Sequence, residues 1–107
     1  MPLFAVIGLD LPDALGKRNA GLADHRAYLK AHDERMLLVG PLRDDSGNSC
    51  GSVYVFEADS SNQIQEWLSR EPFVKAGVYD SLLIRRFEPV MSRLALRDWP
   101  GDASPRK

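Results

Sequence analysis

Cysteine is almost missing from this chain. Cys50 stands alone among 107 residues, so no disulfide can close within it, which suits a reducing, cytoplasmic setting. With no cationic or histidine neighbour in sequence, Cys50 reads as a structural thiol rather than a nucleophile. Long hydrophobic runs are missing too. The opening stretch Met1–Asp10 is apolar but too short to span a bilayer, and it lacks the charged start of a secretion signal. Neither membrane nor export is therefore expected. Excess charge is also lacking, with 14 Lys and Arg against 15 Asp and Glu and a net charge of −1. That balance draws neither nucleic acid nor an anionic membrane; a small or neutral partner fits better.

Several chemical signatures are absent as well. No glycine-rich phosphate loop is present, which counts against a nucleotide cofactor. No Gly-x-Ser-x-Gly elbow supports a hydrolase triad. His25 and His32 lie seven residues apart, about 10 Å along a helix, too far to share one metal ion. No metal or organic cofactor is expected.

What is present is a globular pattern, 44% apolar, with no internal repeat. Leu3 to Leu9 reads as a buried strand, and Pro12-Asp13 as a loop. Asn19 to Asp33 reads as a helix, with Ala20, Ala23, Ala27 and Ala31 as a small-residue stripe suited to packing on a sheet. Met36 to Val39 is a second strand, stopped by Gly40-Pro41. Arg43 to Asn48 carries turn chemistry, and Gly51 to Glu57 is a third strand. Ser60 and Gln63 form a capping-box pattern ahead of Ile64, Trp67 and Leu68. Glu71-Pro72-Phe73 breaks that helix, and Tyr79 to Phe87 is the fourth strand. Residues 1–90 form one domain. Residues 91–107 are an extension, partly mobile, that either forms a short helix or lies across a partner.

The order is βαββαβ, an α+β ferredoxin-like antiparallel sheet with both helices on one face. Strands one and three fall side by side in the centre. Both faces of those strands are apolar, yet only one has helices to cover it. The same face of a second copy is the simplest cover, which predicts a homodimer with two sheets face to face.

The topology gathers distant residues at one rim. Asp10 closes strand one where Ser52 opens strand three, and helix one starts there with His25 in its early turns. Gly8, beside Asp10, leaves room for a ligand. An imidazole titrates near neutrality, so His25 suits general acid/base work if a carboxylate orients it; an exposed helix histidine, or one tied structurally to Asp10, is the commoner case. Asp10 is the candidate carboxylate, or a turn residue. Ser52 binds a substrate oxygen, or is a strand-edge hydroxyl met by backbone. Lys17 and Arg18, placed just before the helix, suit an anionic substrate or simply the surface. Pro41 ends strand two at this rim. Phe73 and Tyr79 line a pocket, or belong to the core.

At these residues the chain resembles the YciI-like family, also called YCII-related proteins. The matching pieces are His25-Arg26-Ala27-Tyr28-Leu29-Lys30-Ala31-His32, Leu37-Leu38-Val39-Gly40-Pro41-Leu42, Gly51-Ser52 and Glu71-Pro72-Phe73-Val74-Lys75-Ala76-Gly77. They come in the family's order and span Leu3 to about Phe87. The resemblance implies a dimeric α+β barrel and a site on a His–Asp pair, here His25 and Asp10, with Ser52 close by. Arg26 departs from the family's apolar residue, and Glu71 from its usual aspartate. The expected function is a cofactor-free isomerase or lyase acting on a small cyclic compound, with a ligand-binding or interaction dimer, or an accessory module docking through its tail, as the alternatives.

Overall fold

The computed structural model describes residues 1–95 and residue 99. Its elements are β1 (Leu3–Asp10), α1 (Leu15–Ala31), β2 (Met36–Arg43), β3 (Ser49–Glu57), α2 (Ser61–Ser69), α3 (Pro72–Lys75) and β4 (Tyr79–Phe87). All strand pairs are antiparallel, in the order β2-β3-β1-β4. The expected α+β sheet, with strands one and three central, is therefore present. The expectation for residues 96–98 and 100–107 of the extension lies outside the described residues.

Register decides which side chains meet. Phe4, Val6 and Gly8 of β1 stand opposite Phe56, Tyr54 and Ser52 of β3. These six share one face, because side chains alternate along a strand. Phe4, Val6, Tyr54 and Phe56 join Leu29 of α1 with Ile64 and Leu68 of α2 in the main core. A smaller cluster of Ala14, Phe73 and Val78 sits at the Asp10 end of β1. Burying a large apolar side chain contributes about 1.5–3 kcal/mol, so these two clusters hold the helices on the sheet.

The other face is apolar and open. Ile7 and Val53 sit among Leu9, Leu38, Leu83 and Phe87, whose exposures are 49%, 38%, 42% and 45%.

Several local expectations need correcting. Helix α1 begins at Leu15, so Lys17 and Arg18 lie inside its first turns. Its alanines face solvent; the side it buries carries Arg18, His25 and Leu29. Hydrophobic patterning misses that side because two of the three residues are polar and are buried with partners. Strand β2 runs through Gly40 and Pro41 to Arg43. It is an edge strand, where a proline's missing N–H is tolerated. Ser60 makes no side-chain cap, while Gln63 accepts from the Asp59 N–H at 2.8 Å instead. Pro72 does end the α2 stretch, but it also opens α3 as its first residue. Gly77, at φ 74°, turns the chain from α3 into β4.

Candidate active site

A bulge builds the site's floor. β1 and β4 pair regularly as far as Leu9 opposite Ser81, then Asp10 falls opposite Tyr79. Skipping Asp80 swings Tyr79 onto the helix-covered face. There its ring fills the space beside Gly8: a Cβ on Gly8 would stand 2.8 Å from two Tyr79 ring carbons. Gly8 therefore makes room for Tyr79 rather than for a ligand.

Two buried side-chain pairs lie beneath α1, one made with the sheet and one with the cap of α3. Arg18 holds Asp10 with both prongs, Nε to Oδ2 at 2.7 Å and Nη2 to Oδ1 at 2.9 Å. The same Nη2 donates to Ser52 Oγ at 2.9 Å. Burial lowers the Arg18 pKa, but the hydrogen bond and charge of Asp10 outweigh it and the net shift is upward. The guanidinium also lies 4.7 Å over the Phe73 ring.

His25 is paired differently from the expectation. Its Nδ1 lies 3.0 Å from Oε1 of Glu71. The approach is off the line of a good hydrogen bond, so Nδ1 lies in close contact with the carboxylate without an aligned bond to it. Both groups are buried, at 6% and 0% exposure. The imidazole stacks on Phe73, with centroids 3.7 Å apart and planes within 9°. Asp10 does not orient His25: its two oxygens are engaged by Arg18, whose rigid fork matches a carboxylate.

Glu71 is held on every side. Oε2 accepts from the Phe73 N–H at 2.7 Å, which caps α3. Oε1 accepts from the Tyr54 hydroxyl at 2.9 Å. Tyr54 in turn touches the Tyr79 hydroxyl at 2.7 Å, and the Tyr79 hydroxyl donates to Ser52 Oγ at 2.8 Å. Burial is the main reason both phenols ionise less readily than usual.

Of the residues singled out in the sequence, the structure brings together Asp10, Arg18, His25, Ser52, Phe73 and Tyr79. Pro41 is exposed and stands opposite Ser52 in register. Missed were Tyr54, which reads as a core aromatic, and Glu71, which reads as a helix breaker. The available signal for Glu71 was its place immediately before Pro72, where a carboxylate caps the next helix. Two grooves, of about 250 and 450 Å³, lie elsewhere, one beside Trp67 and His32 and one beside Met1 and Phe87. Among the described residues no group of three His, Cys, Asp or Glu is placed to hold a metal, and no helix is long and apolar enough to cross a membrane.

Residues 2–88 match the model of the YCII-related domain. Protein YciI of Escherichia coli is 33% identical over 96 residues, which cover 82% of this chain and 98% of that protein. An uncharacterised protein of Haemophilus influenzae is 30% identical over 95 residues, covering 81% and 97%. Among solved structures, 5-chloro-2-hydroxyhydroquinone dehydrochlorinase (TftG) of Burkholderia phenoliruptrix, in complex with 2,5-dihydroxybenzoquinone, has a TM-score of 0.74 at 27% identity, covering 80% of this chain and 93% of that one. SnoaB of Streptomyces nogalater, a cofactor-independent oxygenase, shares the fold at a TM-score of 0.54 and 13% identity, covering 85% and 95%. Proteins of this fold thus include enzymes of small molecules. With a family match over most of its length and relatives at this identity, the chain belongs to the YCII-related family.

Proposed function

We propose that this chain is a small-molecule enzyme of the lyase or isomerase type, in which His25 moves a proton and Glu71, rather than Asp10, holds the imidazole. The observation that carries the proposal is the buried ring of His25, clamped flat on Phe73 with Nδ1 against the Glu71 carboxylate. A carboxylate at Nδ1 favours the tautomer protonated there and leaves the Nε2 lone pair free to act as base. A loose contact in the unliganded protein is compatible with catalysis, since such bonds tighten around substrate.

The substrate class is a small hydroxylated ring, by analogy with the dehydrochlorinase. Loss of HCl from a chlorinated trihydroxybenzene gives a hydroxyquinone: the C–Cl bond breaks, two hydroxyl protons leave, one going to the carbon that held chlorine and one departing with chloride, so no outside oxidant is needed and one acid/base group can pass the protons in turn. The working unit is a homodimer with the two open sheet faces together, because water contact at Ile7, Leu83 and Phe87 is otherwise uncompensated.

A second role is favoured by the enclosure of the site: with Ser52, Tyr54, Glu71 and Phe73 at most 2% exposed, the cluster also suits a structural polar core in a binding dimer. The two roles separate in one assay. Purified protein is given chlorinated and unchlorinated hydroxyhydroquinones, and chloride release and quinone absorbance are followed. Turnover above buffer supports the enzyme; no turnover across the panel favours the structural role.

A further inference from the structure

The chain continues past the family's domain, which ends at residue 88, and one residue of that extension comes back to the body of the protein. Strand β4 ends at Phe87, opposite Leu3. Leu3 also stands opposite Glu57, and Met36 opens β2 beside Phe56. These strand ends therefore lie together, at the end of the sheet away from Asp10 and Ser52. In the order β2-β3-β1-β4, β4 and β2 are opposite edges, about 14 Å apart at the usual strand spacing. From Phe87 to Trp99 the backbone can reach about 40 Å, ample to cross that end. Residues 88–95 are exposed, whereas Trp99 is half-buried and packs against the main core. Its indole Nε1 donates to Oδ2 of Asp33 at 2.6 Å. Asp33 lies between α1 and β2, where its carbonyl accepts from the Met36 N–H at 2.9 Å.

We infer that the groove at this corner is the seat of the chain's own extension, with Trp99 as its anchor. The groove, of about 250 Å³, carries His32 and Glu34 on either side of Asp33 and is walled by Phe56, Ile64 and Trp67. Phe56 and Ile64 belong to the core against which Trp99 packs. An apolar wall beside a carboxylate matches the two parts of an indole, a large apolar ring and one N–H that can only donate. The ionised acceptor makes that bond a strong one. The occupant is this chain rather than another protein because the tether brings Trp99 here at an effective concentration on the order of millimolar. An outside peptide would have to displace it. The assignment is independent of the role of His25, and it counts against an extension that docks on a partner through Trp99.

The test follows two indole N–H signals by NMR in the full chain, whose tryptophans are Trp67 and Trp99. Trp99→Phe assigns them. The Trp99 signal is expected away from the position of free indole, with hydrogen exchange slowed about tenfold or more. Asp33→Ala is expected to move that signal to the free position and to abolish the protection. Trp67, which donates to the His32 carbonyl at 3.3 Å, should stay protected in the same variant. Asp24→Ala removes an exposed carboxylate elsewhere on α1 and should move neither signal. If Asp33→Ala does not fold, exchange in the wild type decides: a protected Trp99 supports the inference and an unprotected one overturns it. A Trp99 signal at the free position in the wild type, or one that folded Asp33→Ala leaves unmoved, would overturn it as well. So would a signal that returns to the free position on dilution to micromolar protein, since Trp99 would then be seated on a second copy.

Discussion

Nδ1 of His25 faces Oε1 of Glu71 at 3.0 Å across the seam between α1 and α3. Asp10, on the sheet side of the same seam, faces Arg18. The two carboxylates are thus divided between a guanidinium and an imidazole, each buried. The division follows from side-chain shape: a guanidinium offers two parallel donors to one carboxylate, whereas an imidazole offers one.

Glu71→Ala is expected to cost about 3 kcal/mol or more, because it strips a buried imidazole and a buried phenol of their shared partner. It also removes the cap of α3. Glu71→Gln keeps the shape and the cap acceptor and is expected to cost clearly less. Urea unfolding of the two variants measures the difference. Equal costs would mean that the charge, lost in both variants, carries the whole effect and that shape and cap add nothing.

Gly8→Ala places a methyl where the Tyr79 ring already lies, 2.8 Å from two of its carbons. Overpacking of this kind typically costs about 1–3 kcal/mol. The ring must shift, so the Tyr79–Ser52 contact is expected to break as well. Thermal unfolding of Gly8→Ala, alone and combined with Tyr79→Ala, checks this. The penalty should shrink once the ring is gone.

Alkaline pH gives a signed expectation. Tyr54 and Tyr79 have pKa values raised above the ordinary 10.0, chiefly by burial. Their native forms hold protons that the unfolded chain releases above that pH. Stability is therefore full below pH ~10 and falls as pH rises further, by about 1.4 kcal/mol per pH unit for each tyrosine that stays protonated. Tyr54→Phe lowers stability at neutral pH but is expected to flatten this decline. An unchanged alkaline slope in Tyr54→Phe would contradict the burial of that phenol.

Much of the fold was legible because it rests on patterns of period two and on turn residues. The strand alternation in β1 and β3 gave both the core face and the open face. The candidate site was less legible. The bulge that skips Asp80 leaves no mark in residue type, yet it decides that Tyr79 fills the space beside Gly8. The alanine stripe of α1 misled because small residues tolerate solvent as well as packing. Arg18 and His25 are buried only because Asp10 and Glu71 meet them, and partners brought from distant elements cannot be read from helix periodicity. The choice between Asp10 and Glu71 as the partner of His25 turned on the competing fork of Arg18, a three-dimensional fact.

The open sheet face carries its own test. Leu83, 42% exposed, sits opposite Ile7 at its centre. If two copies meet there, sedimentation should give twice the chain's mass of 12.0 kDa. Leu83→Asp would bury an unpaired charge and is expected to yield monomer. A wild-type monomer at micromolar concentration would refute the face-to-face dimer.

The central claim is that His25 moves the proton. It is tested most directly by comparing His25→Gln with wild type on a substrate that the hydroxylated-ring panel identifies, with unfolding free energy measured on the same samples. The account expects kcat to fall by about 100-fold or more, out of proportion to any loss of stability, with KM changed far less. Turnover in folded His25→Gln equal to that of the wild type would contradict it and leave the cluster a structural one.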